Sequence, residues 1–187
     1  MRHQLILAGF GGQGLMLLGK LICITMMKRD KPVTYVPSYG AEMRGGTANC
    51  HVNVSDEFIA SAKVEHATAI VVMNQPSWEK FKGAVVPGGL VFVNTSLIKI
   101  TDPPKNVKIV EVPATETANT LGDVRMANMV MLGALNSVIK FTEFKNFYDN
   151  LNYFFTGKKE KFIPNNVKAI EAGESHVKKN YAAMAAK

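Results

Sequence analysis

Hydrophobic positions follow two rhythms along this chain, and the switches between them predict its elements. Leu5–Ala8 is continuously apolar, which predicts a strand over His3–Ala8 covered on both faces. Leu15–Lys28 changes to helical spacing. Leu15, Leu18, Ile22 and Met26 share a face, and Lys28 and Arg29 stand at the electronegative end. Asp30-Lys31-Pro32 stops that helix, and Val33–Val36 is the next strand, so the opening has the strand–helix–strand form of a parallel unit. Thr47–Val54 alternates apolar and polar residues and reads as a half-buried strand. It follows its preceding loop so closely that antiparallel pairing competes with a crossover.

Ala69–Met73 is a short, fully apolar strand. Pro76 suits the first position of a helix that carries Trp78 and Phe81 and ends before Pro87-Gly88-Gly89. Leu90–Val93 and Val107–Val112 are further buried strands, separated by the Asp102-Pro103-Pro104 break. Ala114–Thr120 reads as a helix stopped by Gly122, and Asn128–Ile139 as a strongly apolar one. Thr142 is the expected cap of a last amphipathic helix running from Phe144 to Phe155. Residues 160–187 are expected to form a helical, more exposed tail. Strands alternating with helices over 187 residues predict one α/β domain spanning 1–187. Its expected architecture is Rossmann-like: an open, mostly parallel, mixed sheet with helices on both faces. The ligand crevice of such a fold lies at the carboxyl ends of its strands.

Composition narrows the classes. Hydrophobic residues make up 47% of the chain, which excludes a disordered polypeptide. The longest apolar stretch, Leu15–Met27, is broken by Gly19 and Lys20, so no membrane span is expected. The first residues enter a strand without the pattern of a signal peptide, and a cytoplasmic location is expected. The net charge of +7 is concentrated at Lys158, Lys159, Lys161, Lys168, Lys178, Lys179 and Lys187. This reads as a solvated face suited to an acidic protein partner or a phosphorylated ligand. No interleaved stacking set supports nucleic-acid binding. Cys23 and Cys50 alone can hold neither an iron–sulfur cluster nor a closed zinc site, so no metal site is expected.

Two glycine-rich turns carry the candidate chemistry. In Gly9-Phe10-Gly11-Gly12-Gln13-Gly14, the spacing of Gly9, Gly11 and Gly14 matches the dinucleotide fingerprint between a strand and a helix. Such glycines let a backbone approach a ligand and leave helix N–H groups for an anion; equally, they can serve only close packing of helix on strand. A nicotinamide enzyme would place an acid at the end of the second strand, where this chain has Tyr35-Val36-Pro37-Ser38. There is no Gly-Lys-Ser/Thr ending, which excludes a P-loop. The second turn is Ser38-Tyr39-Gly40-Ala41-Glu42-Met43-Arg44-Gly45-Gly46. Arg44 can grip a carboxylate or phosphate, or pair with Glu42; Tyr39 can stack on a planar ligand or plug an interface. Asn74-Gln75 and Asn94-Thr95-Ser96 should open onto the same edge. No nucleophile–base pair or paired-carboxylate motif is present, so no catalytic residue is assigned.

The segments AGFGGQG and PSYGAEMRGGTANCHV, with Asn74-Gln75-Pro76, Pro87-Gly88-Gly89 and Val93-Asn94-Thr95-Ser96, resemble the gamma subunit of 2-oxoacid:ferredoxin (or acceptor) oxidoreductases. The resemblance implies a multi-subunit enzyme converting a 2-oxoacid, coenzyme A and an oxidised acceptor into acyl-CoA, carbon dioxide and reduced acceptor. Thiamine diphosphate and iron–sulfur clusters would belong to its alpha, beta and iron–sulfur (delta) subunits, with ferredoxin or another acceptor beyond them, and this chain would hold none of these alone. Gly9, Gly11, Gly12, Gln13 and Gly14 would form one wall near coenzyme A. Ser38, Tyr39, Gly40, Glu42, Arg44, Gly45 and Gly46 would form another wall or an intersubunit surface, with Asn74 and Asn94 on the rim. The opening looks most similar to 2-oxoglutarate enzymes, with branched-chain and pyruvate enzymes as rivals. A free-standing NAD(P) or flavin oxidoreductase, resting on the fingerprint alone, is the alternative. Self-association of the chain in isolation is left open.

Overall fold

The structure is a computed structural model and describes residues 1–39 and 47–182. Six strands form one sheet: β1 (Arg2–Phe10), β2 (Val33–Tyr39), β3 (Thr47–Ser55), β4 (Ala67–Val72), β5 (Val85–Asn94) and β6 (Lys108–Val112), in the order β2-β3-β1-β4-β5-β6. β1, β4, β5 and β6 are parallel, while β3 is antiparallel to both β1 and β2. Two successive antiparallel pairings restore direction, so β2 runs parallel to β1 with β3 inserted between them. The sheet is mixed, as expected, and Thr47–Ser55 pairs antiparallel on both sides.

Helices α1 (Leu15–Met27), α2 (Gln75–Phe81), α3 (Ala114–Thr120), α4 (Ala127–Ile139), α5 (Phe144–Tyr148) and α6 (Ile163–Asn180) cover the sheet. Side chains alternate across each strand, dividing the core in two. Leu5, Leu7, Cys50, Val52 and Val54 pack with α1, α4 and α6. Ile6, Ala8, Ile70, Val72, Val91 and Val93 pack with Trp78 of α2 on the opposite face. Trp78 satisfies its indole N–H on the Thr101 carbonyl at 3.1 Å.

The structure corrects the sequence reading in three places. Thr142 does not cap α5: Glu143 holds the cap position without a side-chain bond, and the Thr142 hydroxyl instead accepts from Asn146 Nδ2 at 2.7 Å. The expected helix to Phe155 ends at Tyr148. Asn150 Nδ2 takes the Asn146 carbonyl at 2.7 Å, so the Asn150 backbone N–H turns to Phe147 O and the chain tightens into a 3-10 turn at Leu151–Tyr153. Pro87-Gly88-Gly89 lies inside β5, which bulges between the pairs Ala67–Val85 and Ala69–Leu90.

Within the tail, Ile163–Asn180 is helical as α6, and one face of it is core. Asn166, Ala169, Ile170, Gly173 and Val177 of α6 are buried. α6 and α4 meet at Gly133 and Gly173, each of which faces the backbone of the other helix. At its far end, α6 closes the open edge of β6. His176 Nε2 lies 2.8 Å from the Glu111 carbonyl oxygen, and Glu111 N donates to Tyr181 Oη at 3.0 Å.

Candidate functional site at the carboxyl edge of the sheet

The topology brings the first glycine turn and the two strand ends that flank the second, Tyr39 and Thr47, to one rim. β1 ends at Phe10, opposite Thr47 where β3 begins; Gly9 pairs with Ala48, which also pairs with Tyr39 at the end of β2. Exits of β4, β5 and β6 follow along the same edge. Ser38 is exposed beside this junction, and Tyr39 is placed by its backbone as the last residue of β2. Gly40, Glu42, Arg44, Gly45 and Gly46 lie outside the described residues.

Within the first turn, the glycines have different reasons to be glycine. A Cβ on Gly9 would stand 2.5 Å from Gln13 Oε1 and 2.7 Å from Leu15 Cδ1. Gly14, the N-cap of α1, has φ 72°, and its Cβ would meet the Asn128 side chain, with Cγ at 2.9 Å. Both positions are therefore dictated from inside the protein. Gly12 has φ 101° and open space around it. Gly11 and Gly12 form the outward tip. α1 carries no side-chain cap, so its first-turn N–H groups meet no N-cap side chain.

Amide side chains lace the rim together. Gln13 Oε1 accepts from Phe10 N at 2.7 Å and from Asn74 Nδ2 at 3.3 Å, while Gln13 Nε2 donates to Met73 O at 3.1 Å. Asn74 caps α2 by accepting from Ser77 N at 2.9 Å. Asn94 Nδ2 donates to Met73 O at 3.3 Å and to Thr115 Oγ1 at 2.9 Å, and its Oδ1 accepts from Thr115 N at 3.3 Å. Asn74 and Asn94 thus reach the predicted edge, but burial to 2% and 0% exposure makes them fasteners rather than displayed ligand groups.

Two contributors, Asn128 and Arg125, escaped sequence reasoning because they arrive from distant segments, and Lys159, read there as part of a solvated basic face, joins them. Asn128 of α4 donates to Gly14 O at 3.0 Å and pins the start of α1. Arg125 and Lys159 line a cavity of about 480 Å³ onto which Gly14, Met126 and Phe162 also open. Those last three residues precede α1, α4 and α6, so three helix starts border one cavity, and the Asp123 carboxylate lines it together with the two cations. Arg125 also borders a smaller cavity of about 190 Å³ with Gly12 and Gln13. Its guanidinium is held by Asp123, Nη2 to Oδ2 at 2.6 Å and Nε to Oδ1 at 2.9 Å, and that bonding keeps the Asp123 carboxyl below its ordinary pKa. The polar Gly122-Asp123-Val124-Arg125 break between two helices was the one local signal of this feature. Beyond the Arg125–Asp123 pair, Lys159 and the uncapped start of α1 are the positive features of the larger cavity.

The remaining reactive residue types stand apart. Burial raises the Cys23 and Cys50 thiols to about 12. His51 Nδ1 accepts from Val64 N at 3.0 Å, and burial lowers its pKa. Among the described residues, no group of three or more His, Cys, Asp or Glu is gathered to hold a metal, and no helix is long and apolar enough to cross a membrane.

Comparison with known proteins gives this rim its context. The chain is 35% identical over 175 residues to the ketoisovalerate oxidoreductase subunit VorA of Methanothermobacter marburgensis, covering 93% of this chain and 36% of VorA. It therefore spans about a third of the length of that relative. It is 35% identical over 140 residues to the 2-oxoglutarate synthase subunit KorC of Methanocaldococcus jannaschii, covering 72% of this chain and 74% of KorC. In three dimensions it is similar to the keto/oxoacid ferredoxin oxidoreductase gamma subunit of Geobacter sulfurreducens. The TM-score is 0.79 at 26% identity, covering 93% and 97% of the two chains. The sequence model of the pyruvate ferredoxin/flavodoxin oxidoreductase family matches residues 4–175; the chain belongs to that family and has the fold of its gamma subunits.

Proposed function

We propose that this chain is the gamma subunit of a cytoplasmic 2-oxoacid:ferredoxin (or acceptor) oxidoreductase. Its substrate is 2-oxoglutarate, which with coenzyme A and oxidised acceptor gives succinyl-CoA, carbon dioxide and reduced acceptor. Alpha, beta and iron–sulfur (delta) subunits complete the enzyme and carry thiamine diphosphate and the iron–sulfur clusters. Thiamine diphosphate supplies the carbanion stabilisation that decarboxylation of a 2-oxoacid requires. This chain's part is to build one side of the coenzyme A site.

The observation that carries the reading is the meeting of the uncapped α1 N-terminus, Lys159 and the Asp123-paired Arg125 at one cavity beside the glycine turn. Such a surface favours the phosphates of a nucleotide-bearing thiol carrier and offers no group for the carbon chemistry itself. The Gly11–Gly12 tip, Ser38, Tyr39 and the loop carrying Gly40, Glu42, Arg44, Gly45 and Gly46 form the remainder of that wall or its seam with a partner subunit. A second substrate reading, a branched-chain 2-oxoacid, is favoured by the similarity to VorA across 93% of the chain.

Anaerobic affinity purification of the chain from its native cells tests the proposal. Recovery with a thiamine diphosphate subunit and an iron–sulfur subunit, with coenzyme A-dependent acceptor reduction by 2-oxoglutarate, is the expected result. Faster reduction with ketoisovalerate transfers the assignment to the branched-chain reading. A chain recovered alone, or a complex inert to every 2-oxoacid, overturns the function.

A further inference from the structure

Gln13 occupies an unusual position in the first glycine turn. Its Oε1 receives two donors, Phe10 N and Asn74 Nδ2, and its Nε2 reaches across to Met73 O. Met73 O also accepts from Asn94, and Met73 N donates to Ala8 O at 2.9 Å. One side chain therefore closes the turn on itself and ties it to the exit of β4. With Leu15 and Met73 it crowds Gly9, where a Cβ would stand 2.5 Å from Oε1. Backbone dihedrals within the turn are otherwise permissive because glycine restricts little. A loop with this many glycines needs an external constraint to hold one shape.

We propose that Gln13 is a positioning residue of the rim. It holds the Gly9–Gly14 turn so that the Gly11–Gly12 tip meets coenzyme A at the right height, and it acts through that backbone rather than by contact with the ligand. The role rests on the function proposed above. It predicts that changing Gln13 weakens binding of the shared ligand while chemistry on the partner subunits proceeds at its ordinary rate. It also predicts that acceptor and donor halves of the amide have separable effects. The acceptor half protects the Phe10 N–H; the donor half anchors the turn to β4.

Two variants test this. Gln13→Met removes both halves, and Gln13→Glu keeps an acceptor for Phe10 N while placing a carboxylate against Met73 O. Hydrogen exchange on the full chain reads the clamp directly. Phe10 N–H is expected to exchange at least about tenfold faster in Gln13→Met and near the wild-type rate in Gln13→Glu. In the complex assembled with its native partners, both variants should raise KM for coenzyme A about tenfold and change kcat less than about twofold. For Gln13→Glu, acidification should bring KM back toward the wild-type value, because a protonated carboxyl again donates to Met73 O. A structural role alone would lower the melting temperature without this pH-dependent recovery.

Unchanged exchange at Phe10 in Gln13→Met overturns the clamp. Faster exchange with unchanged KM overturns its role at the ligand. Loss of kcat at unchanged KM assigns Gln13 to the chemistry and overturns positioning. A wild-type complex with no coenzyme A-dependent turnover overturns the proposed function and this role with it, while the exchange data still decide whether the clamp exists.

Discussion

Gly173→Ala distinguishes the tight α4–α6 crossing from an ordinary helix contact by the sign of its effect. A Cβ on Gly173 would lie 2.8 Å from the Val130 carbonyl carbon and 2.9 Å from Ala134 N, and closer still to the carbonyl oxygen. Ordinary carbon contacts lie at about 3.5–4.0 Å, so the helices must part by roughly an ångström. The obstructing atoms are backbone, which no rotamer change can move. Overpacking costs typically about 1–3 kcal/mol, and a backbone clash belongs at the upper end. Alanine recovers about 0.8–1 kcal/mol of helix propensity over glycine. The net destabilisation is about 2 kcal/mol, or about 4–8 °C in melting temperature for a chain of this size. Thermal unfolding of the purified chain measures it. A rise of about 2–4 °C, the propensity gain alone, refutes the close crossing. Exchange at the Glu111 amide supplies a second reading, because a displaced α6 draws Tyr181 away from it. Gly133→Ala meets the same gap from the other side, with Ile170 and Glu174 backbone as its obstacles, so the double variant should cost less than the sum.

The two cysteines, raised to about 12 by burial, with the neighbouring Cys23 a secondary cause for Cys50, should resist thiol reagents in the folded chain. At about pH 8 both should react about a thousandfold faster after denaturation, and rapid labelling of the native chain refutes their inaccessibility. Asp56 is held at about 2, first by Lys31 at 2.6 Å and then by the amino group of Met1. A depressed carboxylate contributes stability above its ordinary pKa and loses it as pH falls from about 4 toward about 2. Asp56→Asn should therefore narrow its stability deficit over that window, and a deficit independent of pH refutes the pairing.

Much of the fold could be read from local pattern because each strand and long helix carries its own period. Ala114–Thr120 has the bounds the sequence suggested. Failures occur where a side chain competes with backbone or where contact is long-range. Asn150 ends a periodic helix by taking the carbonyl its own N–H would have used, which apolar spacing does not register. Gly133 and Gly173 look like weak points in separate helices until the fold sets them face to face. At the rim, the first glycine turn was legible because strand, glycines and helix are contiguous. Asn128 and Arg125 were not, since only the topology brings them back to Gly14 from more distant segments, and Lys159 was legible only as part of a basic face.

The inserted strand also explains how a dinucleotide fingerprint occurs without a dinucleotide crevice. In the nucleotide-binding arrangement the strand beside β1 ends in the acid that holds the ribose. Here that neighbour is β3, which runs the opposite way and starts at Thr47 on this edge; β2 lies one strand further out, about 4.7–4.9 Å beyond. Each outer glycine of the fingerprint has an internal cause, Gln13, Leu15 and Met73 for Gly9 and Asn128 for Gly14. The spacing therefore records the geometry of a strand-to-helix turn packed against amide side chains. What remains outward is a two-glycine tip beside the cavities that Arg125 borders with its partner Asp123 and with Lys159. Gly12, with nothing within 4 Å of where its Cβ would stand, rather than either outer glycine, is where the turn is free of internal packing.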